Sequence, residues 1–207
     1  ELRVQFPVIK ELFEKANIRY EELEGFEADD IIGTIERKAE NGGMDSIILT
    51  GDRDALQLIS AKTKVLLAKK GIAYTQLTDE AVLMQEYGIT PSQVVEMKAL
   101  MGDSSDNIPG VPGVGEKTAL KLLQEYGNVD ELYKNVDSIS GKLGEKLRDG
   151  KESAYMSRRL ATICTESPIV SIPEECKYAP PAGEEIRNFY NKLGLRSLIS
   201  RIVDAPG

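Results

Sequence analysis

The segment Ile108 to Gly115, IPGVPGVG, restricts the fold of this chain more than any other stretch. Neither a helix nor a strand continues through proline and glycine at this density, because proline lacks the amide donor and glycine carries the largest backbone entropy cost. The chain must turn tightly here. The next segment reads as a helix, with Ala119, Leu122, Leu123 and Tyr126 as its apolar stripe and Lys117, Lys121 and Gln124 outside it. Two better-known phosphate loops are excluded. From Gly110 the P-loop spacing reaches Gly115, but Glu116 intervenes before Lys117 and Thr118, and Thr118 stands where the third glycine of a dinucleotide fingerprint belongs. A helix opened by glycine still presents free amides to an anion. Gly110, Gly113, Val114 and Gly115 supply such a turn, and Lys117, Thr118 and Lys121 supply polar side chains beside it. A grip of this kind would be on phosphate and blind to base sequence. A plain Pro/Gly loop between two helices is the alternative.

Immediately before this segment stand two carboxylates, Asp103 and Asp106 in GDSSD, and such pairs recur: Asp52 and Asp54 in TGDRD, and Glu27, Asp29 and Asp30 in FEADD. Each group lies where an extended or loop segment meets a helix, the position at which an open α/β sheet presents its functional groups. Ile31, Ile32, Ile35 and Ala39 follow helical spacing after the first group, so Glu27 and Asp30 fall on one face of a first turn. The run Ser46 to Thr50, SIILT, reads as a buried strand that delivers Asp52 and Asp54 from its carboxyl end. A helix over Pro91 to Leu100, apolar at Val94, Val95, Met97 and Met101 and closed by Gly102, leads to the third group.

Taken singly, each pair reads equally well as a helix cap or turn, since Asp favours both. Seven acids in three motifs are a different matter, because like charges gathered by a fold destabilise it unless a cation neutralises them. All-oxygen donors favour Mg²⁺ or Mn²⁺, and two such ions would activate a water and stabilise the leaving oxygen of a phosphodiester. The chain has no His, and its Cys residues are Cys164 and Cys176 alone, which gives little support to zinc or to a histidine base and none to a disulfide scaffold.

The net charge of −8 runs against nucleic-acid binding until its source is located. Without the seven motif acids, the remaining 27 Asp and Glu nearly balance 26 Lys and Arg. Lys142, Lys146, Arg148, Lys151, Arg158 and Arg159 form a basic run that would extend a clamp along a duplex or serve as a solvated helical face. No apolar run approaches a membrane span and no signal-peptide pattern is present.

The spacing predicts an α/β fold with a mostly parallel sheet flanked by helices, with strands near Ile18 to Leu23, Ser46 to Thr50, Lys64 to Ala68 and Ala73 to Thr78. Residues 1–90 are assigned to this core, 91–165 to a helical nucleic-acid-binding region, and 166–207 to a proline-rich connector and short helices packing on the core.

FEADDIIGT, TGDRDALQL and GDSSDNIPGVPGVGEKTA together resemble the 5′-nuclease domain of bacterial DNA polymerase I, part of the flap endonuclease family. The resemblance extends over essentially the whole chain, through SRRLATI to NFYNKLGLRSLISRI. It implies a PIN-like nuclease core followed by a helix-three-turn-helix clamp. The implied activity is metal-dependent hydrolysis of DNA at 5′ ends or flaps, in primer removal and repair in the bacterial cytoplasm. Glu27, Asp29, Asp30, Asp52, Asp54, Asp103 and Asp106 match the family's metal-site acids, and Gly113, Gly115, Lys117 and Thr118 match the hairpin, whose carbonyls bind K⁺ in some relatives. The trailing VDAPG is expected to begin a linker to a polymerase domain. Chains of this kind open with an apolar strand ending in Asp and carry a basic arch. Here ELRVQFPVIK starts directly in an amphipathic helix with Ile9, Leu12, Phe13 and Ala16 on one face, so these residues alone are expected to bind metal weakly and cleave little.

Two other classes remain open. A ribonuclease of the related PIN type would share the paired acids but has no use for a duplex-gripping hairpin, and a non-catalytic DNA-binding module would use the hairpin and leave the acids as caps.

Overall fold

A computed structural model describes residues 2–69, 73–181 and 183–202. In chain order α1 (Phe6–Lys15) and α2 (Ala28–Asn41) precede β1 (Ser46–Thr50), β2 (Thr63–Ala68) and β3 (Thr75–Thr78). The rest is helical: α3 (Glu80–Tyr87), α4 (Ser92–Met101), α5 (Glu116–Tyr126), α6 (Val129–Lys134), α7 (Gly141–Asp149), α8 (Lys151–Ala161), α9 (Gly183–Lys192) and α10 (Arg196–Ile199). Two compact units result, one spanning 27–168 and one joining 1–26 to 169–207.

In the larger unit, β1 and β2 are parallel, with Ser46 opposite Thr63, and β3 returns antiparallel to β2, with Val65 opposite Thr78. The α/β class holds, while the sheet among the described residues is a mixed three-stranded one in the order β1-β2-β3. The segment 51–62 crosses over between the parallel strands through a 3-10 helix, Arg53–Leu58, whose Ala55, Leu56 and Leu58 enter the core. β1 is buried on one face only: Ile48 is covered, whereas Ile47 and Leu49, on the opposite face of the pleat, are 65% and 57% exposed. The expected buried strand is therefore half right.

The same core continues into the helices, where Val65, Leu83, Ile89, Leu100, Val111, Leu123, Leu132 and Leu147 are almost wholly enclosed. α4 is the central helix, packing on α8, α5 and the 3-10 segment that follows β1. This arrangement ties the loop after β1 and the loop after α4 to one rigid element.

In the smaller unit α1 packs on α9, and Asn17 Nδ2 donates to the Ala179 carbonyl at 3.2 Å. The expected strand Ile18 to Leu23 is irregular backbone instead. Its polar side chains bond among themselves: Arg19 donates to Glu21 at 2.8 Å and to Ser171 Oγ at 3.1 Å, and Ile18 and Tyr20 stay exposed. The apolar face expected on α1 is incompletely covered, with Ala16 buried, Leu12 and Phe13 half-buried and Ile9 38% exposed. The VDAPG expectation falls on residues 203–207, outside those described.

Candidate functional site

The first acidic motif opens α2. Glu27 is its N-cap in extended conformation, and Glu27 and Asp30 form a reciprocal capping box in which the Glu27 amide donates to Asp30 Oδ2 at 3.3 Å. Asp30 Oδ1 also accepts from the Cys164 amide at 2.8 Å. One helical turn on, buried Thr34 Oγ1 accepts from the amide and hydroxyl of Ser167, which straps the segment after α8 against α2. Asp30 is thus fixed by structural bonds, and Asp29 beside it is half-buried. Burial first, then the charges of Asp52, Glu27, Asp30 and Asp106, push the Asp29 carboxyl up.

The second motif leaves β1 at Gly51. The Asp52 amide donates to Thr50 Oγ1 at 3.0 Å, and Asp52 Oδ1 accepts the Asp54 amide at 2.9 Å, capping the 3-10 helix. This turns Asp54 inward. Its carboxyl is buried with Oδ1 against the Lys98 ammonium, and burial pushes it up to about 6 against the opposing pull of that ammonium.

The third motif follows Gly102, which ends α4 at φ +73°. The loop is closed by a bridge in which Asp103 and Ile108 exchange both amide bonds at 2.8 Å, with Asn107 at φ +56° completing the turn. Asp103 Oδ1 accepts the Ser105 amide at 2.9 Å and the Ser105 hydroxyl. Lys98 first and Ser105 second hold the Asp103 carboxyl down at about 2.

These elements bring six of the seven acids, Glu27, Asp29, Asp30, Asp52, Asp54 and Asp106, onto one cavity of about 240 Å³. Asp103 instead lines an adjoining cavity of about 430 Å³, which it shares with Asp52 and Asp54. Among the described residues no three acidic side chains are gathered tightly enough to hold an ion as they stand. The donor chemistry nevertheless fits a hard divalent cation: every donor is oxygen, and the mutual repulsion felt at Asp29 is what a cation would relieve.

Sequence reasoning missed Lys98. It is 5% exposed and faces inward from α4, against Asp54, at 2.7 Å from Asp103 Oδ2 and at 3.6 Å from Asp106 Oδ2. The signal was present, since Lys98 lies four residues after Val94 and three before Met101, on the stripe that packs inward.

The hairpin adjoins the acidic cavity through Ile108, which lines it. The Val111 amide donates to the Leu100 carbonyl at 2.8 Å, the Gly110 amide donates to Ser157 Oγ at 2.9 Å, and Ser153 Oγ donates to the Gly110 carbonyl at 2.6 Å. Val111 and Val114 are buried anchors. Gly110 has φ +62°, and a Cβ there would strike the backbone of Met101 and Gly102. Gly115 is the N-cap of α5 with no side-chain cap and open space where a Cβ would be, so the helix start faces outward with Lys117 and Lys121 exposed beside it and Thr118 half-buried. The predicted stripe of α5 is found, with Ala119, Leu122 and Leu123 buried and Tyr126 half-buried.

The basic run is largely occupied within the fold. Lys146 Nζ donates to the Gly113 carbonyl at 3.2 Å, Arg148 donates to the Val136 carbonyl at 3.2 Å, Arg158 pairs with Asp130 at 2.9 Å and Glu96 at 3.5 Å, and Lys151 stands over the Tyr133 ring. These bonds favour the structural reading of that run. Lys146 reaches the hairpin, as a brace.

Two family models match consecutive parts of the chain: the N-terminal resolvase-like domain of 5′-3′ exonuclease over residues 1–88, and its C-terminal SAM fold over residues 89–184. The chain is 46% identical over 199 residues to a DNA polymerase I of Streptococcus pneumoniae and 44% identical over 203 residues to that of Bacillus subtilis. Those matches cover 96% and 98% of this chain and 23% of each relative. The chain therefore spans about a quarter of the length of the curated relatives it matches. Among solved structures, a T5 5′-exonuclease with bound divalent metal ions (zinc) aligns at TM-score 0.63 and 20% identity, over 97% of this chain and 67% of that one. The catalytic core of Rad2 in complex with DNA substrate aligns at TM-score 0.64 and 17% identity, over 97% and 68%. These two alignments establish the fold.

Proposed function

The chain belongs to the 5′-3′ exonuclease family, and on that premise we propose that it is the metal-dependent nuclease part of a DNA polymerase I, hydrolysing DNA phosphodiesters at 5′ ends or flaps during primer removal and repair. The observation that carries this reading is the single cavity lined by Glu27, Asp29, Asp30, Asp52, Asp54 and Asp106 directly beside the hairpin. Divalent ions bound there, Mg²⁺ or Mn²⁺ by the hardness of the donors, would supply a water made nucleophilic and charge neutralisation at the leaving oxygen.

The chain's own residues do the rest. Asp29, Asp54 and Asp106 offer carboxylate oxygens from three separate elements, while the bonds at Asp30, Asp52 and Asp103 fix the backbone that carries them. Gly113, Val114 and Gly115 bring backbone amides to a sugar-phosphate strand at the start of α5, and Lys117, Thr118 and Lys121 add charge and a hydroxyl there. K⁺ held by hairpin carbonyls would reinforce the same contact. The setting that goes with this reading is the bacterial cytoplasm. Among the described residues no helix is long and apolar enough to cross a membrane.

A second reading is favoured by one observation, that Asp30, Asp52 and Asp103 already serve as caps or turn acceptors: a DNA-binding module without chemistry. Single-turnover incision of a labelled 5′-flap duplex, run with Mn²⁺, separates the two. The nuclease reading expects slow but detectable incision near the junction, in keeping with the little cleavage expected of these residues alone, that is lost in Asp54→Asn and Asp106→Asn while duplex binding persists. Absence of ion-dependent incision, together with duplex binding unchanged or strengthened in those variants, overturns it in favour of the module. An RNA duplex cleaved in preference to DNA would point to the ribonuclease class.

A further inference from the structure

The buried ammonium of Lys98 has no part in the chemistry described above. It comes from the middle of α4, 5% exposed, and meets acids of two motifs at once: Asp54 at the start of the 3-10 helix, Asp103 at 2.7 Å and Asp106 at 3.6 Å in the loop after α4. Three carboxylates share one positive charge, so the cluster is under-neutralised and still attractive to cations. A divalent ion bound by Asp54 and Asp106 would come within a few ångströms of that ammonium and repel it. The side chain has somewhere to go, since Lys98 lines the adjoining cavity of about 430 Å³, whose wall includes Asp52 and Glu116.

We propose that Lys98 is a tethered cation that holds Asp54, Asp103 and Asp106 together before metal arrives and withdraws toward the adjoining cavity when a divalent ion takes those carboxylates. It is a positioning residue, acting through the three acids. The inference rests on the reading of the acidic cavity as a metal site and adds a competition between one internal and one external cation.

The test uses the whole chain and Mn²⁺ alone. Lysine acylation at fixed pH, read residue by residue by mass spectrometry, should find Lys98 protected in chelator and labelled about tenfold faster or more with saturating Mn²⁺. Calorimetry should find that Lys98→Met binds Mn²⁺ more tightly than wild type, by about tenfold, whereas Lys98→Arg stays near wild type. The wild-type labelling result needs no variant to fold. Mn²⁺ binding that leaves Lys98 equally protected, or weaker Mn²⁺ binding by Lys98→Met, overturns this inference and spares the metal site. Absence of Mn²⁺ binding by wild type and Lys98→Met alike overturns both.

Discussion

Lys98 Nζ lies 2.7 Å from Asp103 Oδ2, and this contact joins the middle of α4 to the loop beyond its own end. The same ammonium lies against Asp54, and the two carboxylates respond in opposite senses. Asp103, more open to water and bonded to Ser105, is held down at about 2; Asp54, buried, is pushed up to about 6.

These directions set the signs of the pH dependence. A carboxyl raised in the fold binds its proton more tightly there than in the unfolded chain, so Asp54 contributes stability that is full below about 4 and lost as pH rises through about 6. Asp103 contributes stability above about 4 that is lost as pH falls toward 2. In urea unfolding with chelator, wild type should therefore gain on Asp54→Asn between pH 7 and pH 5. Its advantage over Asp103→Asn should shrink below pH 4. A pH-independent difference in either pair contradicts the assignment.

The hairpin glycines should separate by substitution. Gly110→Ala places a Cβ against the backbone of Met101 and Gly102 at φ +62°, and should cost about 3 kcal/mol or more in chemical unfolding. Gly115→Ala meets open space at φ −103° and should cost less than about 1 kcal/mol, yet weaken duplex binding by crowding the start of α5. Equal stability losses at the two sites would remove the distinction between a packing glycine and a contact glycine.

Salt dependence distinguishes the two kinds of basic residue. Lys117→Ala should lower the slope of log affinity against log salt by about one for duplex DNA, as for the loss of one phosphate contact. Arg158→Met should leave that slope unchanged and instead cost about 1 kcal/mol of stability, because Arg158 is paired with Asp130 and Glu96. A slope change at Arg158 comparable to that at Lys117 would return the basic run to the DNA surface.

Tyr133 carries a buried hydroxyl with no hydrogen-bond partner among the described residues, and burial pushes it up to about 12. Tyr133→Phe should raise the thermal midpoint, by about 1 kcal/mol of stability, without touching ion or DNA binding. A lowered midpoint would show that the hydroxyl is satisfied in solution.

The sequence made β1, β2 and β3, the closing of α4 at Gly102 and the apolar stripe of α5 legible, because alternation, helical spacing and glycine report directly on burial and backbone. The segment Ile18 to Leu23 misled for the same reason. Its alternation resembles a strand's, but alternation carries no information about a partner for the ladder, and here Arg19, Glu21 and Ser171 bond side chain to side chain instead. β1 was expected to be a buried strand from the apolar run Ile47, Ile48 and Leu49, yet what covers a face is decided by other parts of a chain. Capping and proposed ligand roles at Asp30, Asp52 and Asp103 are inseparable by residue type, since a carboxylate that accepts backbone bonds keeps the charge and further lone pairs a cation needs. Lys98 was readable as a charge on an apolar stripe, but the identity of its partners depended on two loops arriving at the same helix.

Paramagnetic broadening by Mn²⁺ of the backbone amide spectrum tests the convergence of the acids most directly. Substoichiometric Mn²⁺ is predicted to broaden first the amides around residues 27–30, 52–54 and 103–107, three stretches distant in sequence that meet at one cavity. Broadening that began instead at other acidic stretches, such as Glu174–Glu175 or Glu184–Glu185, or that reached only one of the three motifs, would contradict a shared metal centre.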